Sequence, residues 1–521
     1  MRTAVLFLLA VLPLIGCQAV GHRHVTAPTP PPPPSDLDTV LAHCPDQADT
    51  PATSAYQRSL TRLVNDALAS GRLHPQHGLT VDTPSGRVTI PVRYVGMTWY
   101  PEEVGELHAT SEVRVKEYLK SHHTCPGWGV PLIGISRDAG LRGEAGRFSS
   151  LPRPITLTAV LQTDPTPVLE LHDASHADTV TLGGQVRPLA RDLSAPLAYA
   201  GKLAKQMGDR RYLAPFLNPA RDPDYNRLTG FEPYRPGTLP VVFVHGAKSD
   251  NVTWLDTLNE LRADPTFNKS FQAMFFRYAT GGEYLEAAAD LREQGEQFVR
   301  VSDPAGADPA VRAWAVIGYS LGGPVARLCV TSSGDRLWDA FSCTPFDQMV
   351  LTARTRESLR RQFFYEPLPY VKTVTFIAGP FDGGTPASNL LFRLGSRLIR
   401  YPDEVERAYK QIQDDNPGAI RRDARRRVPN SLDLLRPDNW LLDAVREMPF
   451  GDGVRVHTII GDGWMFGLSD RVVPVRSARV PGADTETVIR MPHKDGQKHP
   501  ASVRRQREIL AEHAATHGAG R

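Results

Sequence analysis

The second half of the chain contains several short runs that read as strands, of which those at residues 239–244 and 314–317 are almost entirely apolar. The clearest runs cover residues 239–244, 314–317, 371–377, 454–460 and 485–491. A short apolar run bounded by polar residues is consistent with a strand that is buried on both faces of a sheet. After the last run, Val503, Ile509 and Leu510 are the apolar positions of a helical pattern. This half is therefore predicted to contain several buried strands and to end in a helix.

The first half has a different pattern. Residues 88–94 and 155–161 have the composition of strands. Residues 54–70 indicate a helix, with Gly71 just past its end. The apolar positions on one face of that helix are Leu60, Leu63, Val64 and Leu68. We interpret residues 36–230 as an α+β accessory domain, in which we recognise no catalytic constellation.

The chain begins with a short apolar segment. Arg2 precedes an apolar run at residues 4–15, which is too short to span a bilayer as a helix and indicates a signal peptide. Residues 14–17 look like a lipobox, in which Cys17 is diacylated and becomes the mature N-terminus. An ordinary signal peptide that ends near a cysteine is the alternative. Residues 1–17 are thus expected to be a lipoprotein signal peptide with its lipobox.

Residues 18–35 are expected to be a tether. Five consecutive prolines at residues 30–34 favour polyproline II, a semi-rigid spacer of about 3.1 Å per residue. Gln18, rather than aspartate, follows Cys17 and resembles lipoproteins sorted to the outer membrane. We therefore expect a lipid-anchored protein of the cell envelope, in the outer membrane of a Gram-negative bacterium.

The strongest catalytic candidate is a serine between two glycines. Residues 318–322 read Gly-Tyr-Ser-Leu-Gly, directly after the apolar run at 314–317 and before a helical start. A strand, this motif and a helix, in that order, describe a nucleophile elbow that exposes the Ser320 hydroxyl above the sheet edge. Glycines are expected on either side because a side chain there would clash with the neighbouring strand and helix. A structural turn is the alternative interpretation.

A second motif leads to a resemblance. The apolar run at 239–244 ends in His245, Gly246 and Ala247. With the elbow, these residues make the chain from about Phe231 onward resemble bacterial lipase/esterase-like α/β-hydrolases, including those of envelope lipoproteins. Further matching stretches are residue 254 and residues 259–261, 276–278, 376–380 and 469–475. The resemblance implies an α/β-hydrolase fold over residues 231–521, with a mostly parallel central sheet and helices on both faces.

The resemblance also implies the partners of Ser320. The oxyanion hole would be formed by the backbone N–H groups of Ala247 and Leu321, whereas the His245 ring is expected to be satisfied by local hydrogen bonds. The acid of the triad would be Asp470, on the loop after the strand at 454–460, although Arg471 stands where glycine is more usual. Asp382 is the rival acid.

The base of the triad should lie between the last strand and the last helix. His493 directly follows the strand and is the preferred candidate. His499 precedes Pro500, where a histidine that caps the helix or lies on the surface is the more ordinary interpretation. His513 and His517 belong to the C-terminal tail and are expected to be exposed.

Residues 331–370 form an apolar insertion after the elbow helix. In this fold such an insertion commonly forms a cap over the acyl pocket, and an ordinary helical connection packed on the sheet is the alternative. The cysteines other than Cys17 allow two disulfides in an exported protein, and the simplest pairing is Cys44 with Cys125 and Cys329 with Cys343. Free buried thiols are the other reading.

Composition changes this picture little. The net charge is +3, and the one basic run, at residues 421–427, lacks the stacked aromatic residues of a nucleic-acid site. A solvated helix face is the usual explanation for such a run, and contact with anionic lipid is a minority reading. No Cys/His cluster has metal-ligand spacing and no glycine-rich phosphate loop is evident, so no metal and no cofactor are expected.

The leading hypothesis is therefore a membrane-tethered serine hydrolase that cleaves carboxylic esters, lipids among them, through Ser320, His493 and Asp470. An acyltransferase with the same triad is one rival. A non-catalytic envelope scaffold is the other, and the intact set of three residues speaks against it.

Overall fold

The computed structural model describes residues 35–42, 49–84, 86–148, 153–163, 165–208, 210–219, 225–385, 398–422, 424–425, 428–433, 435–437, 439–463 and 467–518. The expected signal peptide with Cys17 and the tether up to residue 34 lie outside these residues, as does Cys44. Within the described ranges, no helix is both long enough and apolar enough to cross a membrane.

The N-terminal half is built around a five-stranded sheet. Its helices and strands are α1 Asp36–Ala42, α2 Ala55–Ala69, β1 Leu73–His74, β2 Gly78–Thr83, β3 Gly86–Ile90, β4 Val92–Val95, β5 Val104–Ala109, β6 Thr124–Cys125, β7 Val130–Ser136, β8 Pro154–Gln162, β9 Val168–Asp173, β10 Thr179–Leu182, β11 Gln185–Pro188, β12 Arg191–Asp192, α3 Ala195–Met207 and α4 Arg210–Leu217. The sheet order is β4-β9-β8-β7-β5. Only β4 and β9 are parallel neighbours in it.

Two sequence predictions can be compared with this half directly. The helix predicted at residues 54–70 is α2, and its apolar face is buried in the core that it shares with the sheet. The strand expected at residues 88–94 is divided into β3 and β4, which belong to different sheets. Pro91 lies at the break, because proline has no N–H to donate to a ladder.

The C-terminal half is built around a seven-stranded sheet. Its helices and strands are β13 Arg227–Gly230, β14 Leu239–Val244, α5 Leu255–Arg262, α6 Pro265–Ser270, β15 Phe271–Arg277, α7 Tyr284–Ser302, β16 Trp314–Tyr319, α8 Gly322–Arg327, α9 Arg336–Phe341, α10 Ala353–Phe363, β17 Val371–Ile377, α11 Asp403–Asp415, α12 Trp440–Glu447, β18 Arg455–Gly461, α13 Val475–Ala478, β19 Thr485–Ile489 and α14 Pro500–His517. All five apolar runs read from the sequence form strands of this sheet.

The sheet has the order β13-β15-β14-β16-β17-β18-β19. All neighbours from β15 to β19 are parallel, and β13 alone runs antiparallel to its neighbour β15. Parallel strands end at the same edge of a sheet, so the loops after β14, β16, β18 and β19 meet there. The first strand, β13, lies just before the boundary expected at residue 231.

Helices cover both faces of the seven-stranded sheet, as its double-sided burial requires. One face packs against α7, α8 and the segment after the elbow. The other packs against α3, α5 and α14, so a helix of the N-terminal half contributes to the core of the C-terminal half.

Residues 331–370 contain the helices α9 and α10, of which α9 contacts α12 and α10 contacts α7. The Trp338 ring lies 5.5 Å from the rings of Phe341 and Phe363 and 4.9 Å from that of Phe346. These side chains are buried and belong to the core on one sheet face. These contacts make the segment part of the core on that face of the sheet.

The disulfide expected between Cys329 and Cys343 is not formed, and both residues are free thiols. Cys329 is buried just after α8, where its thiol lies 3.5 Å from the carbonyl oxygen of Val325, while Cys343 is exposed. Cys125 is also free and lies beside the Arg191 side chain. The predicted pairing of Cys329 with Cys343 was wrong, because the two residues are close in sequence but one is buried and the other is exposed.

His513 is buried rather than exposed, with only 3% of its surface accessible. Its Nδ1 accepts a hydrogen bond from the Thr373 hydroxyl at 2.8 Å, and its Nε2–H donates to the Ala313 carbonyl at 3.1 Å. The last helix continues past Leu510, and its helical period carries His513 onto the same inward face. The expectation of an exposed tail was therefore wrong at this residue.

Candidate active site

Ser320 lies in the tight turn between β16 and α8. Its φ angle is 53°, in the left-handed region that residues other than glycine seldom adopt. The Ser320 N–H donates to the Ile377 carbonyl at 2.9 Å, and the Gly323 N–H donates to the Ser320 carbonyl at 2.8 Å. The strained backbone is therefore held from both sides, and the side chain is presented at the sheet edge.

The flanking glycines are required by close contacts. A Cβ atom on Gly318 would lie 2.3 Å from the Gly322 carbonyl oxygen, and one on Gly322 would lie 2.3 Å from the Val244 carbonyl oxygen. Both distances are far below van der Waals contact and involve backbone that cannot move aside. The reason given for these glycines from the sequence is thus confirmed.

The structure brings Ser320, His493 and Asp470 together. His493 Nε2 lies 2.9 Å from Ser320 Oγ, and His493 Nδ1 lies 2.6 Å from Asp470 Oδ2. An ionised carboxylate can only accept, so Nδ1–H donates to Asp470 and Nε2 is left to accept from the serine hydroxyl. The Asp470 side chain is 1% exposed and that of His493 is 14% exposed, which leaves the base accessible from one side.

The two oxygens of Asp470 have separate roles. Oδ1 accepts from the N–H groups of Val472 and Val473 at 3.0 and 2.8 Å, which leaves Oδ2 for the histidine. These bonds require a tight loop, and Arg471 within it has a φ angle of 94°. The left-handed backbone explains why glycine is more usual at the position of Arg471.

Tyr319, next to Ser320, holds the loop that carries His493, a contact that sequence reasoning missed. Its hydroxyl donates to the His493 carbonyl at 2.6 Å, and its ring lies 5.5 Å from the imidazole. Burial raises the pKa of the Tyr319 hydroxyl, which therefore remains a donor. The His493 N–H also donates to the Asp470 carbonyl, at 2.8 Å.

The loop after β14 lies directly against the serine. A Cβ atom on Gly246 would be 2.9 Å from Ser320 Cβ and 3.3 Å from the Tyr319 ring. Ala247, the first proposed oxyanion donor, is the next residue, and Leu321, the second, follows Ser320. The loop that carries Ala247 therefore lies against the turn that carries Ser320 and Leu321.

His245 orients this loop from the interior. Its Nδ1–H donates to the Gly246 carbonyl at 3.0 Å, and the Tyr278 hydroxyl donates to the His245 carbonyl at 2.9 Å. Burial lowers the pKa of His245 to about 4, so the ring is neutral. The Gly246 carbonyl and the Ala247 N–H belong to the same planar peptide unit. The hydrogen bond from His245 to that carbonyl therefore also sets the direction of the Ala247 N–H. The local hydrogen bonds expected for His245 are confirmed.

The two rival residues are used elsewhere. Asp382 Oδ1 lies 3.3 Å from Arg446 Nη1, and the Asp382 N–H donates to the Ser477 hydroxyl. His499 caps α14, where its Nδ1 accepts from the Ala501 N–H at 3.3 Å. The capping interpretation of His499 is therefore confirmed.

One further cluster has the composition of a metal site. Ligand atoms of Asp173, His176 and Glu232 lie within 4.8 Å of one another. However, the Arg235 guanidinium contacts His176 Nδ1, and buried Arg262 lies close enough to help lower the pKa of Glu232. Two adjacent guanidinium groups disfavour a cation, so we interpret the cluster as an ion-pair network.

Comparison with known proteins gives structural neighbours only. No protein-family model matches the chain, and no curated protein matches it. A lipase from Bacillus licheniformis, BlEst2 in its mature form, is 16% identical, with a TM-score of 0.34 over 54% of this chain and 97% of its own. An inhibited esterase B from Lactobacillus rhamnosis is 13% identical, with a TM-score of 0.32 over 62% and 96%. A lipase-esterase related protein from Clostridium acetobutylicum is 10% identical, with a TM-score of 0.29 over 55% and 99%.

The C-terminal half has the α/β-hydrolase fold, and an α+β region precedes it, as the sequence predicted. The sheet order, the strand-turn-helix around Ser320 and the helices on both faces define that fold.

Proposed function

We propose that the protein is a serine hydrolase that cleaves carboxylic esters through an acyl-enzyme. The observation that carries the proposal is the chain of two hydrogen bonds from Asp470 through His493 to Ser320, on a serine with a φ angle of 53°. Such a chain allows a hydroxyl, weakly nucleophilic alone, to lose its proton as it attacks.

In the first half-reaction, Ser320 Oγ attacks the ester carbonyl carbon while its proton passes to His493 Nε2. Asp470 stabilises the imidazolium that forms without taking its proton. The oxyanion accepts from the N–H groups of Ala247 and Leu321. Collapse of the tetrahedral intermediate expels the alcohol, which receives the proton from His493, and leaves Ser320 acylated.

In the second half-reaction, water replaces the alcohol. The oxygen of the water attacks the acyl carbon while His493 takes a proton from that water. His493 then gives the proton to Ser320 Oγ as the carboxylic acid leaves. The test is hydrolysis of p-nitrophenyl butyrate by the wild type and by Ser320→Ala, with products analysed with and without added alcohol. Wild-type activity that survives unchanged in the variant would contradict the proposal, and an ester product formed with the alcohol would indicate acyl transfer.

We also propose that the protein is tethered to the outer membrane through a lipid on Cys17. Support comes from the sequence alone, namely the apolar run at residues 4–15, the lipobox-like residues 14–17 and the prolines that follow. Cys17→Ser should release the protein from the membrane fraction. A variant that fractionates with membranes as the wild type does would show that the anchor lies elsewhere.

A further inference from the structure

A cavity of about 390 Å³ lies between the two halves of the molecule, beside the loop that follows β14. One wall is formed by α3, with Leu203, Ala204 and Met207. The opposite wall is formed by the edge of the seven-stranded sheet, with Phe275 and Arg277. The volume is within the range of about 300–1,000 Å³ that is typical of small-molecule sites.

The cavity is close to Ser320 but distinct from it. In the sheet register, Val244 of β14 pairs with Gly318 on one side and with Phe276 on the other. Arg277, the next residue of β15, therefore lies near the level of Ser320. Two strand spacings of about 4.8 Å separate β15 from β16, which places the polar end of the cavity about 10 Å from the nucleophile.

The polar end of the cavity carries three guanidinium groups. Arg277 pairs with Arg227 across the β13–β15 ladder, and Arg153 donates to the Thr229 hydroxyl at 2.9 Å. Burial, and the charge of Arg277, lower the pKa of Arg153 to about 10. Like charges crowded together in a partly buried site favour the binding of an anion.

Three guanidinium groups and one carboxylate, that of Asp250, line the cavity, so positive charge is in excess there. Arg277 donates Nε–H to the Tyr225 carbonyl and lies over the Tyr225 ring at 4.4 Å. Over the ranges that the structure describes, neither Arg227 nor Arg277 has an ion-pair partner. The Oδ1 atom of Asp250 accepts from the Val252 N–H of its own loop.

Most of the remaining lining is apolar, with Thr229 and Asn251 as its other polar residues. Leu203, Leu255 and Phe275 form the walls, and Met207 stands at the rim with 66% of its surface exposed. A cationic end and an apolar, open end together match a molecule with an anionic head and an apolar tail.

We propose that this cavity binds an anionic amphiphile, a carboxylate head on a single acyl chain, with the head at Arg227 and Arg277 and the chain along α3. The N-terminal half would then supply one wall of a ligand site that neither half forms alone. This site does not depend on the proposed hydrolysis, so it can be tested where turnover is blocked.

The test is calorimetric titration of the full-length Ser320→Ala protein with sodium decanoate and with decanol. Decanoate should bind more tightly than decanol, because only the carboxylate can pair with the guanidinium groups. Arg227→Gln with Arg277→Gln should weaken decanoate binding by about tenfold or more, since charge-assisted hydrogen bonds are lost. Arg300→Gln, an exposed arginine on α7, is the matched control and should leave the affinity unchanged.

Leu203→Trp should reduce the affinity for decanoate, because the indole fills the apolar part of the cavity. If the arginine variant fails to fold, the Leu203 variant tests whether the cavity is the binding site. Arg277→Lys, which keeps the charge, should retain part of the affinity. Equal affinity for decanol and decanoate, or decanoate affinity unchanged in both the arginine and the Leu203 variants, would overturn the proposal.

Discussion

Histidine–carboxylate pairs occur in both halves of the molecule, and only one of them belongs to a candidate active site. In the N-terminal half, His172 Nε2 lies 2.9 Å from Glu170 Oε2, and in the C-terminal half His493 Nδ1 lies 2.6 Å from Asp470 Oδ2. Both carboxylates are buried. A buried pair of this kind is therefore not in itself a sign of catalysis.

The difference lies in what else the two groups contact. Glu170 also accepts hydrogen bonds from the side chains of Arg93 and Gln162. Burial alone raises the pKa of Glu170, but the hydrogen bonds from His172, Gln162 and Arg93 outweigh burial and lower that pKa to about 2. These donors make Glu170 part of a network of structural hydrogen bonds. The other nitrogen of His493 faces a serine hydroxyl on a strained turn instead. The third group, and not the pair, distinguishes the candidate active site.

The largest expected effect comes from breaking the C-terminal pair. Asp470→Asn should lower the rate of ester hydrolysis on the order of 10⁴-fold, because the histidine loses the partner that fixes its tautomer. His493→Ala should have a comparable effect, and adding Ser320→Ala to either should change little, since triad members act as a unit.

Glu170→Gln is the matched control for Asp470→Asn, since it makes the same chemical change in the structural pair. It should leave the rate of the folded protein within about twofold of the wild type while lowering its thermal midpoint, because a buried network is broken. A rate loss in Glu170→Gln as large as that in Asp470→Asn would remove the distinction between the two pairs.

A smaller effect is expected from the loop that supplies the first oxyanion donor. Gly246→Ala places a methyl group 2.9 Å from Ser320 Cβ, so the loop must shift away from the serine. The rate should fall on the order of 10²-fold, as for loss of one oxyanion donor. Gly146→Ala in the N-terminal half, where the nearest atom to the new Cβ is 3.5 Å away, should leave the rate unchanged. Equal rates for the two variants would contradict the position assigned to Ala247.

The buried histidines predict a pH dependence of stability. The pKa of His245 and that of His513 are each lowered by burial from 6.5 to about 4. Between these values the unfolded chain binds more protons, so the free energy of unfolding should decrease as the pH falls from 6.5 towards 4, by about 3 kcal/mol per histidine at the acid end.

Thermal midpoints measured at pH 7 and pH 5 check this dependence. His513→Gln should be less stable than the wild type at pH 7 and should lose less stability on acidification. A wild-type thermal midpoint that is higher at pH 5 than at pH 7 would show that these two histidines do not control how stability changes on acidification.

The smallest effects are expected from the rival residues. Asp382→Asn removes a partly exposed ion pair with Arg446, and His499→Ala removes a helix cap. Each should lower the hydrolysis rate by less than about tenfold, because an exposed ion pair or a cap is worth only about 1 kcal/mol of stability. A loss near that of Asp470→Asn would reverse the assignment of the acid or of the base.

The sequence predicted those features that depend on local pattern and chain order. The elbow is local, because Gly318, Ser320 and Gly322 are close in sequence and their contacts follow from one turn. Asp470 and His493 could be proposed because the resemblance implies the chain order Ser, Asp, His and places the acid and the base on loops after the last two strands. The helix α2 and the buried strands followed from hydrophobic periodicity.

Features that depend on distant packing could not be predicted in this way. Nothing in the sequence near Tyr319 indicates that its hydroxyl reaches the His493 carbonyl. The burial of His513 depends on Thr373 and Ala313, which are far away in the chain. Similarly, the cavity between α3 and the sheet depends on how the two halves pack together, and the hydrophobic periodicity of the sequence does not predict that packing.

The most direct test of the account is labelling of the full-length protein with a fluorophosphonate probe, followed by peptide mass spectrometry. The probe forms a bond to an activated serine oxygen and should modify Ser320 alone. Labelling should be absent in Ser320→Ala, strongly slowed in His493→Ala and unchanged in Glu170→Gln. Labelling that persists in Ser320→Ala, or a wild-type protein that is not labelled at Ser320, would contradict the central claim that this serine is the nucleophile.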